Sequence, residues 1–431
     1  MKYVLLNPNW SFEGSIYFGC REPHLPLEFG YSKQILERAG HECLLVDAHL
    51  EGLSPEAVRS RLKAFGPDFT VLATAPSYLF WRCPPPELRV PQETAFAIKG
   101  VRGKLIVVGP HASTTPSITI KKLDADAALL GEPEEVLPEL AGDWGSVSSL
   151  YNIDFSSEKK PDPAVADLDD LPSLIWSSDF IEKHLHHHHC FDRPPSGPGA
   201  EIEASRGCPY KCSFCAKENF RNGFRKRPLE KVLAELDGLL RERVKYFYFI
   251  DELFTPDRKL LMELALRGLK FGIQTRIDIW DHESLDLLGR AGCVSIEAGV
   301  ESISEEGRLL FNKRCSLSNA EITCLLIHAG RRVPFVQANL LFANVDSPRE
   351  TESWRSFLFE HGVWANKPVP LFPYPGSPEY RARWGEPDET AWERAHSFYL
   401  DTYSEFSDIQ ENTPKALEEL ELRRPKWQYA Y

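Results

Sequence analysis

No stretch of the 431-residue chain runs to roughly 18 consecutive apolar residues, the length that crosses a bilayer core as a helix, so no membrane span is expected. The opening residues, MKYVLLNPNW, go straight into a strand-like run. They lack a charged leader and an apolar segment ending in small residues, so no secretory signal is expected, and the expected compartment is the cytoplasm. An excess of positive charge is also missing: 50 Lys and Arg face 63 Asp and Glu, for a net charge of −13. That balance disfavours a broad phosphate-binding face, and with it nucleic acid or an anionic membrane as partner. There is no internal repeat, and no long low-complexity run beyond one histidine tract. Cysteine is not scarce. Ten of them in a leaderless chain of this size point to thiols or metal ligands rather than disulfides. The length fits two or three domains, each able to bury its own core.

Short apolar runs alternate with helical patterns. KYVLLN (2–7), CLLVD (43–47), FTVLAT (69–74), KLIVVG (104–109) and DAALLG (126–131) read as strands. Between two of them Ser54 is placed as a helix N-cap, Pro55 at the first helical position and Gly66 as the stop. Alternation of this kind predicts a parallel sheet covered on both faces. The expected architecture is α/β: a doubly wound, Rossmann-like or flavodoxin-like domain over 1–145, then a connector over 146–200 rich in Pro, Asp and Ser. A second series begins near 201, with EIEAS (201–205), KYFYFID (245–251), FGIQTR (271–276), CVSIEAG (293–299), FVQANLLF (335–342) and KPVPLF (367–372) as strands. Helical stretches such as 228–242 and 282–291 lie between them. Six right-handed βα units predict a partial (β/α)6 TIM-type barrel over 201–385, with its reactive face at the C-terminal strand ends. A charged, helix-rich C-terminal tail occupies 386–431.

RGCPYKCSFC places Cys208, Cys212 and Cys215 at CxxxCxxC spacing, on the loop after the first strand of the second series. Thiolates are soft ligands suited to iron–sulfur clusters. A compact loop can wrap three of them around three corners of a 4Fe–4S cubane and leave one iron open to chelation by a small molecule. A structural zinc ion takes paired CxxC knuckles and a fourth protein ligand. No second cysteine or histidine pair stands nearby downstream.

From about 200 to 385 the chain resembles the radical S-adenosylmethionine (SAM) enzymes. The resemblance implies that the open iron binds the amino and carboxylate groups of SAM, and that electron transfer from the cluster cleaves SAM to a 5′-deoxyadenosyl radical. Phe214, before the third cysteine, matches the position that lies against adenine. In FYFIDELF, Asp251 and Glu252 match the strand end that holds the SAM amino group. In QTRID, Arg276 and Asp278 match the place of an arginine near the SAM carboxylate or substrate. In SIEAGVES, Glu297 and Glu301 fall near the SAM ribose and sulfonium. PYPGSPEY (373–380) resembles the family's turn after the sixth strand. A carboxylate suits a cation or ribose hydroxyls, and a guanidinium suits a carboxylate. A low-potential electron donor, flavodoxin or ferredoxin, is the implied partner.

The first 140 residues resemble the cobalamin-binding domain that precedes one large subgroup of these enzymes. LLNPNW, GHECLLVDAHLEGLS, GPDFTVLAT, KLIVVGPHAS and DADAALLGEPEEVLPEL carry the likeness. The usual pattern has two glycines before HA, whereas here Gly109 is followed by Pro110 and His111. Asp47, His49 and Gly52 spell D-x-H-x-x-G, whose histidine ligates cobalt in corrinoid proteins. That motif follows the first strand there. Here the first strand leads into NPNWSFEG (7–14), without histidine, and His49 follows the second strand, toward the sheet edge and away from the switch point where a doubly wound sheet binds its ligand. His49 is therefore expected not to ligate cobalt. Trp10 and Phe12 are candidates for a wall beneath the corrin, and Asn7, Thr74, Gly109 and His111 for contacts to the corrin or its nucleotide tail.

HLHHHHC (184–190), with the run His186–His189, can bind metal adventitiously or bring a titratable imidazole to a site. The expected activity, from the resemblance, is methylation of an unactivated carbon of a small-molecule substrate, with 4Fe–4S, SAM and cobalamin as cofactors. The alternatives are an enzyme that closes, cleaves or oxidises its substrate without methyl transfer, and a corrinoid sensor with an inactive barrel.

Overall fold

The computed structural model describes residues 1–10, 23–76, 88–152, 160–184, 197–221 and 223–402. They form two compact units. The first comprises Met1–Ser177 together with Phe214–Lys231 and Phe372–Thr402. The described part of the second comprises Ser178–Ser213 and Val232–Leu371. Among the described residues no helix is long and apolar enough to cross a membrane.

The first unit is built on β1 (Lys2–Asn7), β2 (Glu42–Asp47), β3 (Phe69–Ala73), β4 (Lys104–Val108), β5 (Ala127–Leu129) and β6 (Leu150–Tyr151), in the order β2-β1-β3-β4-β5-β6. β1 to β5 are parallel, and β6 closes the edge antiparallel to β5. Both faces are buried, as a parallel sheet requires. Tyr3 and Leu5 of β1 pack on one face with Val71, Ile106 and Phe29. Val4 and Leu6 pack on the other with Val46, Leu72 and Val107. Alternation along the strand sends successive side chains to opposite cores. Helix Pro55–Phe65 starts and stops as expected: the Ser54 side chain accepts from the Ala57 N–H, and Gly66 takes φ 67°. β5 is shorter than the run 126–131. Gly131, at φ 81°, turns the chain into a bridge with Ala164, and a Cβ there would lie 2.3 Å from the Ala164 oxygen. Part of the connector thus packs on this unit. Arg227 lies over Tyr31, and Ser173 Oγ donates to the Lys231 carbonyl at 3.1 Å.

The second unit holds six parallel strands in sequential order: β7 (Gly199–Ile202), β8 (Tyr246–Phe249), β9 (Phe271–Arg276), β10 (Cys293–Glu301), β11 (Phe335–Leu340) and β12 (Trp364–Ala365). That is the strand order of a (β/α)6 array. Helix Leu229–Arg241 and helix His282–Arg290 fall where the pattern placed them. Asp281 caps the latter in a capping box with Ser284. The sixth strand does not lie at 367–372. It is two residues long, Trp364–Ala365, and Val369 makes only an isolated bridge with Leu341. Pro368 and Pro370 have no N–H to donate, so the ladder cannot run through them.

The expected 386–431 tail is a helix over Ala391–Thr402, and residues 403–431 lie outside the described residues. So do Phe12 and His186–His189.

Gly292 makes the tightest backbone approach. It sits at φ 96°, and a Cβ would lie 1.9 Å from the Leu269 oxygen. Gly292→Ala is expected to destabilise the chain by more than about 1 kcal/mol, because both the conformation and the space exclude a side chain. A urea midpoint equal to that of the parent would contradict this.

Candidate functional site

The second unit gathers its polar side chains at the C-terminal ends of β7 to β10. Asp251, past β8, is buried, and its carboxylate accepts from the Ala204 N–H at 2.9 Å and from the Ser205 hydroxyl. Burial pushes its pKa up to about 7 against the pull of those two hydrogen bonds. Glu252 Oε2 accepts from the Gly207 N–H at 2.8 Å. Two adjacent acids thus hold the stem of the loop that carries Cys208. The far side of that loop is held by a turn after β10: the Ser213 N–H donates to the Phe311 carbonyl at 2.9 Å, and Asn312 Nδ2 to the Lys211 carbonyl at 2.6 Å.

Arg276 ends β9 and is buried. It pairs side-on with Asp278, Nε to Oδ1 at 3.1 Å and Nη2 to Oδ2 at 2.7 Å, and its guanidinium lies 3.7 Å from the centre of the Tyr210 ring. Its Nη1 is buried without a hydrogen-bond partner. Burial opposes ionisation of Asp278, but the Arg276 hydrogen bonds and charge outweigh it and hold the carboxyl below its usual range. On β10, Glu297 accepts from Tyr248 Oη at 3.2 Å. Glu301 sits at φ 67°, at a bulge in the ladder with β11, and its Oε2 lies 2.6 Å from the buried Lys313 Nζ. A non-glycine residue held at positive φ is strained, and such strain concentrates at functional positions. Cys212 lies within the field of Lys313, Glu301 and Arg276, and burial raises its thiol pKa.

Cys208, Cys212 and Cys215 are half-buried and in no disulfide. The chain passes from the second unit to the first between Ser213 and Phe214, so Phe214 and Cys215 follow that switch. Among the described residues no three His, Cys, Asp or Glu side chains converge on one metal-ion position. A cubane presents separate irons to its ligands, so its thiols need not meet at one point.

Lys313, Asn312 and Tyr210 were not singled out by sequence reasoning. Lys313 and Asn312 follow the short helix Glu305–Leu310, and nothing in their spacing relates them to the cysteines. Tyr210 had a signal, being an aromatic between two cysteines.

In the first unit, Asn7, Trp10, Thr74, Gly109 and His111 lie at or just beyond the C-terminal ends of the adjacent strands β1, β3 and β4. Trp10 is buried, and its indole N–H donates to Asn7 Oδ1 at 2.6 Å. Asn7 Nδ2 in turn donates to Asp47 Oδ1 at 3.0 Å. Thr74 bonds the Val108 carbonyl through both its N–H and its hydroxyl, each at 2.9 Å. Gly109 adopts φ 109°, ψ −168°, and His111 is buried with its ring 4.3 Å from that of Trp392. His49 follows the edge strand β2. The Asp47 carboxylate accepts from the Leu50 N–H at 3.1 Å, and Gly52 takes φ 60°. The aspartate and glycine of D-x-H-x-x-G thus have a local reason to be there: they close a turn before the helix capped by Ser54. Beside it lies a cavity of about 340 Å³ lined by Asn9, Ala48, Leu53, Ser54, Val90 and Glu93, among others.

Residues 202–339 match the Radical SAM superfamily. The matched span contains the cysteine loop and the strand ends described above. It is 25% identical to an uncharacterized methyltransferase of Pyrococcus horikoshii over 323 residues, 70% of this chain and 66% of the relative. It is 27% identical to the anaerobic magnesium-protoporphyrin IX monomethyl ester cyclase of Cereibacter sphaeroides over 383 residues, 81% of this chain and 58% of the relative. The chain therefore spans about three-fifths to two-thirds of the length of these curated relatives. Among solved structures it is similar to the radical SAM methyltransferase TsrM from Kitasatospora setae with cobalamin and a [4Fe-4S] cluster bound. The TM-score is 0.67 at 18% identity, over 88% of this chain and 73% of that one, a likeness of fold.

Asp47 carries a pH prediction. Burial raises its pKa to about 7, and the hydrogen bonds from Leu50 and Asn7 pull the other way; Oδ2 is left without a partner. A carboxyl whose folded pKa lies above its unfolded value stabilises the fold below the unfolded value, and that stability is lost as pH rises through the folded one. The unfolding free energy of the parent is thus expected to fall relative to Asp47→Asn between about pH 4 and pH 7. Urea titrations of both chains across that range would show parallel curves if the idea is wrong.

Proposed function

We propose that the chain is an enzyme that uses a 4Fe–4S cluster, SAM and cobalamin to methylate an unactivated carbon of a small molecule. The observation that carries this reading is the half-buried three-thiol loop, fastened at the head of a six-stranded parallel sheet, with Arg276 and acidic residues at the next strand ends. Bound there, a cluster would supply the electron that cleaves SAM, and cobalamin would carry the methyl group. The rest is what this chain's side chains do. Cys208, Cys212 and Cys215 hold the cluster. Arg276 is fixed by Asp278 and Tyr210 with Nη1 left over, which suits the SAM carboxylate. Glu252 takes the SAM amino group, while Asp251 is committed to the loop stem. Glu297 and Glu301 face the ribose and sulfonium, with Lys313 holding Glu301. Phe214 packs against adenine.

The cobalamin part is supported by the order β2-β1-β3-β4-β5, whose switch point lies between β1 and β3. Trp10 is braced there through Asn7 and Asp47, which suits a wall under a corrin. Asn7, Thr74, Gly109 and His111 are the other contacts we infer. His49, on the edge strand's turn, is not a cobalt ligand in this reading. A low-potential flavodoxin or ferredoxin would deliver electrons.

A second reading keeps the cofactors and transfers no methyl. It is favoured by the likeness to a relative named as a cyclase. Anaerobically reconstituted protein with cobalamin, SAM and candidate substrates decides between them. S-adenosylhomocysteine and 5′-deoxyadenosine in comparable amounts are expected. Deoxyadenosine alone moves the assignment to the second reading, and no SAM cleavage at all sinks both. Cys212→Ala is expected to abolish cluster loading and cleavage, read by iron and sulfide analysis. His49→Ala is expected to leave cobalamin affinity and spectrum unchanged.

A further inference from the structure

Lys217 follows Cys215 by two residues, in the turn Lys217–Asn219 of the first unit. Its side chain is among the least exposed lysines of the chain, 4% accessible, and its Nζ has no hydrogen-bond partner. A buried ammonium without an acceptor is unfavourable, and structures resolve it by supplying an anion. The turn packs on helix Pro110–Thr114, where the Thr114 hydroxyl is also buried and without a partner. Gly376, at φ 84°, ties the two together. A Cβ there would lie 2.5 Å from Asn219 Nδ2 and 2.7 Å from Thr114 Cγ2. Asn219 is fixed in turn, donating to the Ala216 carbonyl at 2.8 Å and the Gly376 carbonyl at 3.1 Å, and accepting from Arg381 Nη2 at 3.4 Å.

The surrounding charge has the same sign. Among the described residues Arg381 pairs with one acid, the largely exposed Glu386, at 3.1 Å. Lys160 lies in the field of the same pair, and burial together with Arg381 lowers its pKa to about 8. Arg381, bonded to Asn219, and Lys160, in the field of Arg381, thus add positive charge beside the turn, with Glu386 as the acid paired to Arg381.

We propose that Lys217 and Thr114 form a binding site for one anionic group, a carboxylate or a phosphate, of a ligand held by the first unit. Two sources share that chemistry: the phosphodiester in the nucleotide tail of a corrinoid, and an acidic substituent on the substrate. The first source rests on the cobalamin reading above, whereas the anion site itself does not.

The test uses the full chain, anaerobically reconstituted, as parent, Lys217→Met, Lys217→Arg and Thr114→Val. Melting temperature is followed as inorganic phosphate replaces chloride at fixed ionic strength. Affinities for cobalamin and for cobinamide, which lacks the nucleotide and its phosphate, are then measured by absorption titration. Phosphate is expected to stabilise the parent and Lys217→Arg. Its apparent affinity is expected to fall at least about tenfold in Lys217→Met, the loss of one charge-assisted hydrogen bond. Without phosphate, Lys217→Met should melt at or above the parent, since methionine fills the space without a lone charge. A matching loss of cobalamin but not cobinamide affinity assigns the corrinoid phosphodiester. Unchanged cobalamin affinity with a lost phosphate response assigns the substrate. If Lys217→Met does not fold, Thr114→Val carries the same comparison. Equal responses of parent and variant to phosphate and to cobalamin overturn the proposal. A Lys217→Met that melts well below the parent, with its phosphate response intact, overturns it equally, because the ammonium is then structural. No turnover is read, so failure of the methylation reading leaves this result interpretable.

Discussion

The Asp251 carboxylate, desolvated and clasped by the Ala204 N–H and the Ser205 hydroxyl, is the fixture from which the cysteine loop departs. Glu252 extends the same hold to Gly207, and the turn at Phe311–Asn312 grips the loop from its other side. An eight-residue loop with three thiols has little hydrophobic surface of its own to keep it in place. Its geometry is set by hydrogen bonds from elements that are themselves fixed by β8 and β10. A buried carboxylate is a costly choice of fastener, and it works here because both of its oxygens are occupied.

The same economy of partners runs along the strand ends. Arg276 is desolvated but carries Asp278 and Tyr210, and Glu301 is desolvated but carries Lys313. These two charged groups near the cysteines are each held in one orientation by a neighbour of opposite sign, Arg276 also by an aromatic face. That arrangement prepares a polar site without leaving it to reorganise when a ligand arrives. Arg276 Nη1 is the clearest sign of what the arrangement leaves over.

Much of this was legible in the sequence. Ten of the strands came from apolar runs of the right length, and the helix after β2 from its Ser-Pro start and glycine stop. The cysteine loop came from its spacing, and Arg276 and Glu301 from a family resemblance at predicted strand ends. The sixth strand was misplaced because KPVPLF looks apolar enough to pair while two of its residues cannot donate. Lys313 and Asn312 were not visible, because they matter through a turn that returns to the cysteines from about a hundred residues away. Nor could alternation of elements reveal which core an element joins: 214–231 and 372–385 read as part of the second series and 386–402 as a tail, and all of them group with the first sheet. In D-x-H-x-x-G, turn chemistry by itself accounts for an aspartate and a glycine five residues apart.

The chain leaves the first unit after Ser177, returns for Phe214–Lys231, and returns again for Phe372–Thr402. Neither unit is therefore a contiguous piece that a single cut could release. A chain truncated near residue 200 would keep every strand of the first sheet. It would also strip His111 of Trp392, Glu132 of Arg221 and Arg225, and Thr115 of the Trp392 indole. The covalent order makes the two cores hostages to each other: whatever unravels one tugs directly on the cysteine loop at its Ser213–Phe214 seam. Loss of the loop's geometry and loss of tertiary structure should then be a single event rather than two.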